Sequence, residues 1–374
     1  MNRLHIRPRI IATLYVPLLV FCCGCPFDAG AGGGGAGAGE FPFLDESGNF
    51  TFDGATALSL DNATELKFSG EVSRGADVDI FSLGTLAPGD ALFVDVQRTS
   101  GDLDPVLAIF DSREFIHAFN DDRTPDASDL NPLLDIIVRG PRGEYFLGIA
   151  SLQGSASTGR YQVTVRITPA VGVPDPAPQI VFLNWAGGQN VTVANVGTFD
   201  LPPFKATDLG PYEGQTEAMK DRVQQIVEQR YDGFNLIVMN SDDDAVPASA
   251  HSTIYFGGNS SRAFAISEQI DILNADASDN SIVFTRSYKE AFSRAPSFEA
   301  MAQAVGNTVA HEVGHLLGLV HTSECDSLMD TACGNSRILS AQLFTTAPLD
   351  DSVFPVGSQN AVELIGWLLG LTGL

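Results

Sequence analysis

Positive charge is scarce in this 374-residue chain: 21 Lys and Arg stand against 46 Asp and Glu, for a formal net charge of −25. A chain so poor in cations lacks the basic patches that neutralise phosphate, which excludes nucleic acid as a partner. Adhesion to anionic lipid by charge is excluded for the same reason. Cysteine is also scarce, with five in all and none in residues 26–324. Long hydrophobic runs are missing. The apolar stretches Ile10 to Phe21 and Ala361 to Leu371 are both too short to span a bilayer. What remains is 44% hydrophobic, enough to bury sizeable cores. The length implies two or three domains. An acidic, Gly- and Asp-rich, Lys-poor composition suits an exported protein, one able to meet calcium.

The N-terminus reads as a targeting segment rather than part of a fold. Arg3, Arg7 and Arg9 precede the apolar run, and Pro17 interrupts it. Cys22-Cys23-Gly24-Cys25 follows. A small residue before a cysteine resembles the bacterial lipobox, which makes Cys25 the lipid-carrying first mature residue. Cys22 stands where that pattern prefers Leu or Val. An ordinary cleaved signal over residues 1–25 is the alternative. Residues 26–49 begin with a Gly- and Ala-dense run that cannot build a core and is expected to be a flexible tether.

From residue 50 to 168 short apolar runs alternate with turn residues. Ala91 to Val96, Val106 to Phe110, Ile136 to Val138, Tyr145 to Ile149 and Tyr161 to Ile167 read as strands. Ala87-Pro-Gly-Asp90, Ser100-Gly-Asp102 and Gly140-Pro-Arg-Gly143 separate them. No long segment of helical period intervenes, which is an all-β sandwich pattern. Asp77 to Asp90, Leu103 to Asp111, Asn120 to Asp122, Gly143 to Gly148 and Gly159 to Tyr161 together resemble the bacterial pre-peptidase C-terminal domain. Ile80 departs from that family, which usually has an aromatic there. The resemblance implies a jelly-roll-like, non-catalytic accessory sandwich. Asp77, Asp79, Asp102, Asp104, Asp121 and Asp122 could offer carboxylates to calcium. Turn chemistry explains the same residues without metal.

Four prolines within residues 169–178 mark a stiff linker and a domain boundary. The pattern then changes. Gln179 to Trp185, Phe234 to Met239, Ser252 to Phe256 and Ser281 to Thr285 read as strands, and Thr216 to Tyr231 as a helix. Residues 179–374 are therefore expected to form an α+β domain. Asp242, Asp243 and Asp244, and separately Asp271, Asp276 and Asp279, cluster near its loops, where the readings are structural calcium or solvated turns.

One constellation carries chemistry. A helix is expected from Ser297, with Phe298, Met301, Ala302, Val305, Val309, Val313 and Leu316 on one stripe. His311-Glu312-Val-Gly-His315 stands on it, followed by Gly318 and His321. His311 and His315, four apart, project from one face and can share a Zn²⁺ ion at about 2.0–2.1 Å. Gly318 can take φ > 0 and end the helix, so that His321 arrives as a third ligand from outside it. Three neutral imidazoles leave the fourth tetrahedral position for water, the mark of a catalytic zinc site. Glu312, rotated about 100° from His311, can reach that open position as general base.

The run His311-Glu312-x-x-His315-x-x-Gly318-x-x-His321 resembles the metzincin zinc metalloproteases. The resemblance implies that Met329, eight residues after His321, forms the Met-turn floor beneath the three histidines. Some of these enzymes carry Tyr two residues after the Met, where this chain has Thr331. It further implies an upper lobe carrying Trp185, the 216–231 helix and the 252–256 strand, with a C-terminal helix under the active-site helix. The 252–256 strand could be the edge to which an extended substrate adds. Cys325 and Cys333 straddle Met329 and are expected to pair in an oxidising compartment. A Cys ligand to the metal is the rival, which the three histidines make unnecessary. The gap in cysteine over 26–324 also argues against an upstream thiolate that would silence the zinc.

The expectation is thus a multidomain, secreted or lipid-anchored zinc metalloendopeptidase: a jelly-roll-like sandwich, then an α+β metzincin-like domain, acting on protein or peptide. Two other classes stay open, a zinc-dependent hydrolase of a non-peptide bond and a catalytically silent surface-binding protein. An intact Glu312 argues against the last.

Overall fold

The computed structural model describes residues 41–44, 48–59, 65–124, 126–193, 197–331 and 333–372. The expected signal segment with Cys25, and the tether as far as residue 40, lie outside them.

The first half is built from strands. In chain order these are β1 (Thr56–Ala57), β2 (Glu65–Val72), β3 (Val78–Leu86), β4 (Ala91–Arg98), β5 (Pro105–Asp111), β6 (Ile116–Asn120), β7 (Leu133–Ile137), β8 (Gly143–Ser151) and β9 (Gly159–Thr168). They form two sheets, ordered β1-β3-β8-β5-β6 and β2-β9-β4-β7. Phe68, Leu92, Val94 and Val163 from one sheet meet Phe81, Leu107 and Leu147 from the other in a shared core. The two sheets differ in their outer faces. β4 alternates buried and part-exposed residues along Ala91 to Gln97, as a strand with one wet face should. β5 is buried at every position, and β8 from Tyr145 to Ser151. A strand buried on both faces reads as an unbroken apolar run, and Val106-Leu-Ala-Ile-Phe110 is one. Its outer side is covered by the second half of the chain.

Residues 169–178 are exposed but tied to both halves. Gly172 N donates to Gly89 O (3.1 Å) and Ala177 N to Leu368 O (2.9 Å). Arg139 Nη1 donates to Pro174 O (2.9 Å). Beyond them come β10 (Gln179–Asn184), β11 (Gly188–Val193), β12 (Gly197–Leu201), α1 (Ala206–Leu209), α2 (Thr216–Arg230), β13 (Leu236–Asn240), β14 (Ser252–Phe256), β15 (Ala265–Ser267), β16 (Asn280–Val283), α3 (Thr285–Ala291), α4 (Phe298–Leu316), β17 (Thr346–Pro348), β18 (Ser358–Asn360) and α5 (Ala361–Leu369). The main sheet runs β13-β10-β14-β16-β15. Its strands are parallel except β15, which pairs antiparallel with β16. Val181 and Ile254 of the sheet, Val223 of α2, Val305 of α4 and Ile365 of α5 share one core. α2 and α4 approach closely at Gly306, where a Cβ would stand 2.6 Å from Ile226 Cγ2.

The structure corrects one expectation. Ser252 to Phe256 is not a sheet edge, because β14 lies between β10 and β16 and pairs with both. The edge beside α4 is β15, only three residues long and too short to show a period in the sequence. Over the described residues the chain is richer in strand than in helix, and no described helix is long and apolar enough to cross a membrane.

Candidate metal centre

α4 begins where Ser297 Oγ accepts from Ala300 N (3.3 Å), an N-cap that satisfies one of the helix's free amides. Its apolar stripe enters the core through Met301, Ala302, Val305, Val309, Val313 and Leu316. That fixes the helix's rotation and brings His311 and His315 together on another side. The helix stops at Gly318, whose φ is +87°. Gly318 N bonds His315 O, and Leu319 N bonds Gly314 O, each at 2.9 Å. A Cβ at Gly318 would also stand 2.8 Å from Asp271 O. Glycine is thus required for its backbone angle and for the close approach of a neighbouring loop. The reversed chain carries His321 back to the other two.

The three Nε2 atoms converge. His315 Nε2 lies 3.0 Å from His311 Nε2 and 3.0 Å from His321 Nε2. His311 Nδ1 sits 2.8 Å from Leu328 O, and His315 Nδ1 sits 2.8 Å from Leu319 O. A carbonyl only accepts, so both Nδ1 atoms carry a proton and both Nε2 atoms present a bare lone pair. Two lone pairs facing at 3.0 Å repel unless a cation lies against both. Tetrahedral ligands at zinc distance are about 3.3 Å apart, close to this spacing. Burial lowers the pKa of His311, against the Leu328 carbonyl. Burial first, then the two neighbouring rings, push His315 well below its ordinary value. Burial and His311 bring His321 to about 3. All three are therefore neutral at pH 7, the form that ligates. This donor set fits a zinc ion.

Glu312 is 4% exposed. Its Oε2 accepts from Ser267 Oγ (2.8 Å), and Ser267 Oγ is 2.8 Å from Ser281 Oγ. Burial pushes Glu312 up to about 7, against the Ser267 hydrogen bond, which lowers it. Ser267 belongs to β15, so the edge strand itself holds this carboxylate. Nothing in the sequence singles out Ser267, a lone serine in a three-residue strand. Tyr288 is fully buried behind the site, with Glu312 among the charges acting on it.

Met329 is fully buried. It lies against Gly314, where a Cβ would stand 2.7 Å from its Sδ, between the two helical histidines in sequence. Thr322 N donates to Met329 O (2.9 Å), tying this turn to the residue after His321. Cys325 and Cys333 form a disulfide around it, their Cα atoms 5.3 Å apart. Such a bond fits an oxidising, exported setting.

Among the other carboxylates singled out by sequence, burial and then neighbouring carboxylates raise Asp104 to about 6 and Asp122 to about 7, and burial raises Asp121. The rest serve local bonds. Asp77 Oδ2 accepts from Ser73 N (2.8 Å), Asp79 Oδ2 from Tyr161 OH (2.6 Å), and Asp102 Oδ1 from Thr158 N (3.1 Å). Asp242 pairs with Lys220, and Asp243 and Asp244 bond Asn240. Asp271 Oδ2 accepts from Asp276 N (2.9 Å), and Asp279 Oδ1 from Ser252 Oγ (2.8 Å). Among the described residues, His311, His315 and His321 are the one group of three or more such donors gathered within 4.8 Å of one another.

No family model and no curated protein matches the chain. Among solved structures it is similar to a periplasmic inhibitor of g-type lysozyme from Aeromonas hydrophila (14% identity, TM-score 0.25, 30% of this chain and 96% of that one). It is also similar to the pre-peptidase C-terminal domain of a collagenase from Bacillus anthracis (13%, TM-score 0.23, 30% and 94%). A periplasmic g-type lysozyme inhibitor from Salmonella Typhimurium gives 15%, TM-score 0.21, 30% and 97%. Likenesses at such scores decide neither fold nor activity.

Proposed function

We propose that this chain is an exported zinc-dependent metalloendopeptidase of metzincin type, with His311, His315 and His321 as ligands and Glu312 as general base. One observation carries the reading: two buried, neutral imidazoles face each other through bare nitrogens 3.0 Å apart, with a third 3.0 Å away. The helix end at Gly318 and the buried Met329 beneath Gly314 support the same assignment.

A zinc ion held by these nitrogens would supply Lewis acidity, polarising a scissile carbonyl and lowering the pKa of a water toward ~7. Glu312 accepts the proton of the attacking water and returns it to the leaving amine. A carboxyl near pH 7 can do both, because it gains and loses a proton at little cost. Ser267 Oγ orients Glu312 by donating to Oε2. Leu328 and Leu319 carbonyls fix the tautomers of His311 and His315. β15, the terminal strand beside this carboxylate, is the edge an extended peptide would extend.

The test is zinc content by elemental analysis, beside cleavage of a mixed peptide library and a panel of esters. About one zinc per chain with chelator-sensitive peptide cleavage is expected. Ester cleavage alone would transfer the reading to a non-peptide hydrolase, zinc without turnover would favour a binding role, and no zinc would end it.

A further inference from the structure

We infer that the β-sandwich positions the third histidine, and so belongs to the metal centre instead of hanging beside it. The inference rests on the metal-site reading of the three histidines.

His311 and His315 are fixed by α4, whose stripe lies in the core of the second half. His321 is held differently. Val320, the residue before it, is 1% exposed and lies in an apolar cluster with Phe354 and with Ile80, Ala108 and Phe110 of the sandwich. Gln359 of β18 clamps the Val320 backbone from both sides, Oε1 accepting from its N (2.8 Å) and Nε2 donating to its O (3.0 Å). Asp350 N donates to His321 O (3.1 Å). The 346–360 segment that makes these bonds is seated on the sandwich. Ser358 N donates to Glu114 O (3.0 Å). Phe354, fully buried, packs 5.4 Å from Phe110 between ring centroids. Its ring fills a socket left by Gly148 of β8, where a Cβ would stand 2.7 Å from Cζ. The third ligand's backbone is therefore gripped by a segment that gets its seat from the sandwich's outer face. Ligand geometry tolerates only about 0.5 Å of error, so unseating that segment costs the site its third nitrogen.

Gly148→Val fills the socket from the sandwich side and touches no histidine. Zinc affinity is read in the full chain by competition with a chromophoric chelator, and ligand number by the visible spectrum of the Co²⁺ form. The expected result is zinc binding about tenfold to a hundredfold weaker, as for other groups that orient ligands, with loss of the intense four-coordinate cobalt band. In a His321→Ala background the same substitution is expected to change affinity less than about twofold, since the ligand it acts through is gone. Phe354→Ala, run through the same cycle, serves if Gly148→Val does not fold. Unchanged affinity in both variants, with zinc bound normally by the parent, would overturn the inference. An equal fall in both backgrounds would too, marking general destabilisation. A parent chain that takes up no zinc would overturn the metal reading as well.

Discussion

His311 and His315 each spend their only N–H on a backbone carbonyl, and this decides what their Nε2 atoms can do. The cost appears when no cation is bound. Neutral, buried histidines resist protonation in the folded chain but titrate freely near pH 6.5 once unfolded. His321 is held down at about 3. At these rings the unfolded state therefore binds more protons between these values, and the stability they contribute is lost as pH falls from about 6.5 toward 3. Buried carboxyls such as Glu312 and Asp279, raised to about 7 and about 8, act with the opposite sign, so the histidine share is read as the difference in thermal unfolding between chelator-treated parent and His321→Ala from pH 8 to pH 4. Zinc should be released over the same acid range. Ser267 acts on the neighbouring carboxylate. Its hydroxyl favours the charged form of Glu312, so Ser267→Ala should raise that pKa further. A hydrogen bond of about 1 kcal/mol corresponds to a fall in kcat/KM of about fivefold at pH 6, shrinking toward pH 8. A pH–rate profile identical to the parent's would remove Ser267 from the mechanism. His311 and His315 are legible as candidate ligands because helical spacing forces them to one face. Ser267 was not, because its role comes from a tertiary contact 45 residues away.

At the scale of elements, α4 and the turn after it do most of the positioning. Gly318→Ala must hold a φ of +87° and push a methyl against Asp271 O. Strain of this kind costs about 1–3 kcal/mol, and denaturant unfolding with parallel zinc titration should register both lower stability and weaker binding. The Cys325–Cys333 bond closes a short loop around Met329. Chain-entropy arguments give about 2–3 kcal/mol for a loop of this length. Mild reduction should therefore lower the melting temperature and loosen zinc, and a reduced protein that melts unchanged would refute the bracing role. α2, α4 and the alternating strands such as β4 were readable from period alone. The edge strand was not. Ser252 to Phe256 has the apolar run of any buried strand, and only the flanking pairings with β10 and β16 show that it is internal.

At the scale of the whole molecule, the two halves share an apolar cluster and are tied at its rim. Arg113 meets Glu363 (3.0 Å) and Arg139 donates to Trp367 O (2.9 Å). His117 is buried there with its ring 4.8 Å from Trp367. A protease that nicks the exposed 169–178 segment should leave the two pieces eluting together in gel filtration, and separate peaks would contradict the shared core. The sequence did carry a sign of this arrangement. Val106 to Phe110 and Tyr145 to Ile149 are continuous apolar runs where a strand with one wet face would alternate. What it lacked was the covering partner, because Val320 and Phe354 lie between 171 and 248 residues further along. In the proposed function Glu312 moves the proton at a zinc site built by three histidines. It is tested most directly by cleavage of one peptide library by the parent and by Glu312→Gln at matched zinc content. Chelator-sensitive cleavage by the parent is expected, with a fall of at least about a hundredfold in the variant. Equal cleavage by both, or an intact library under zinc-loaded parent, would contradict it.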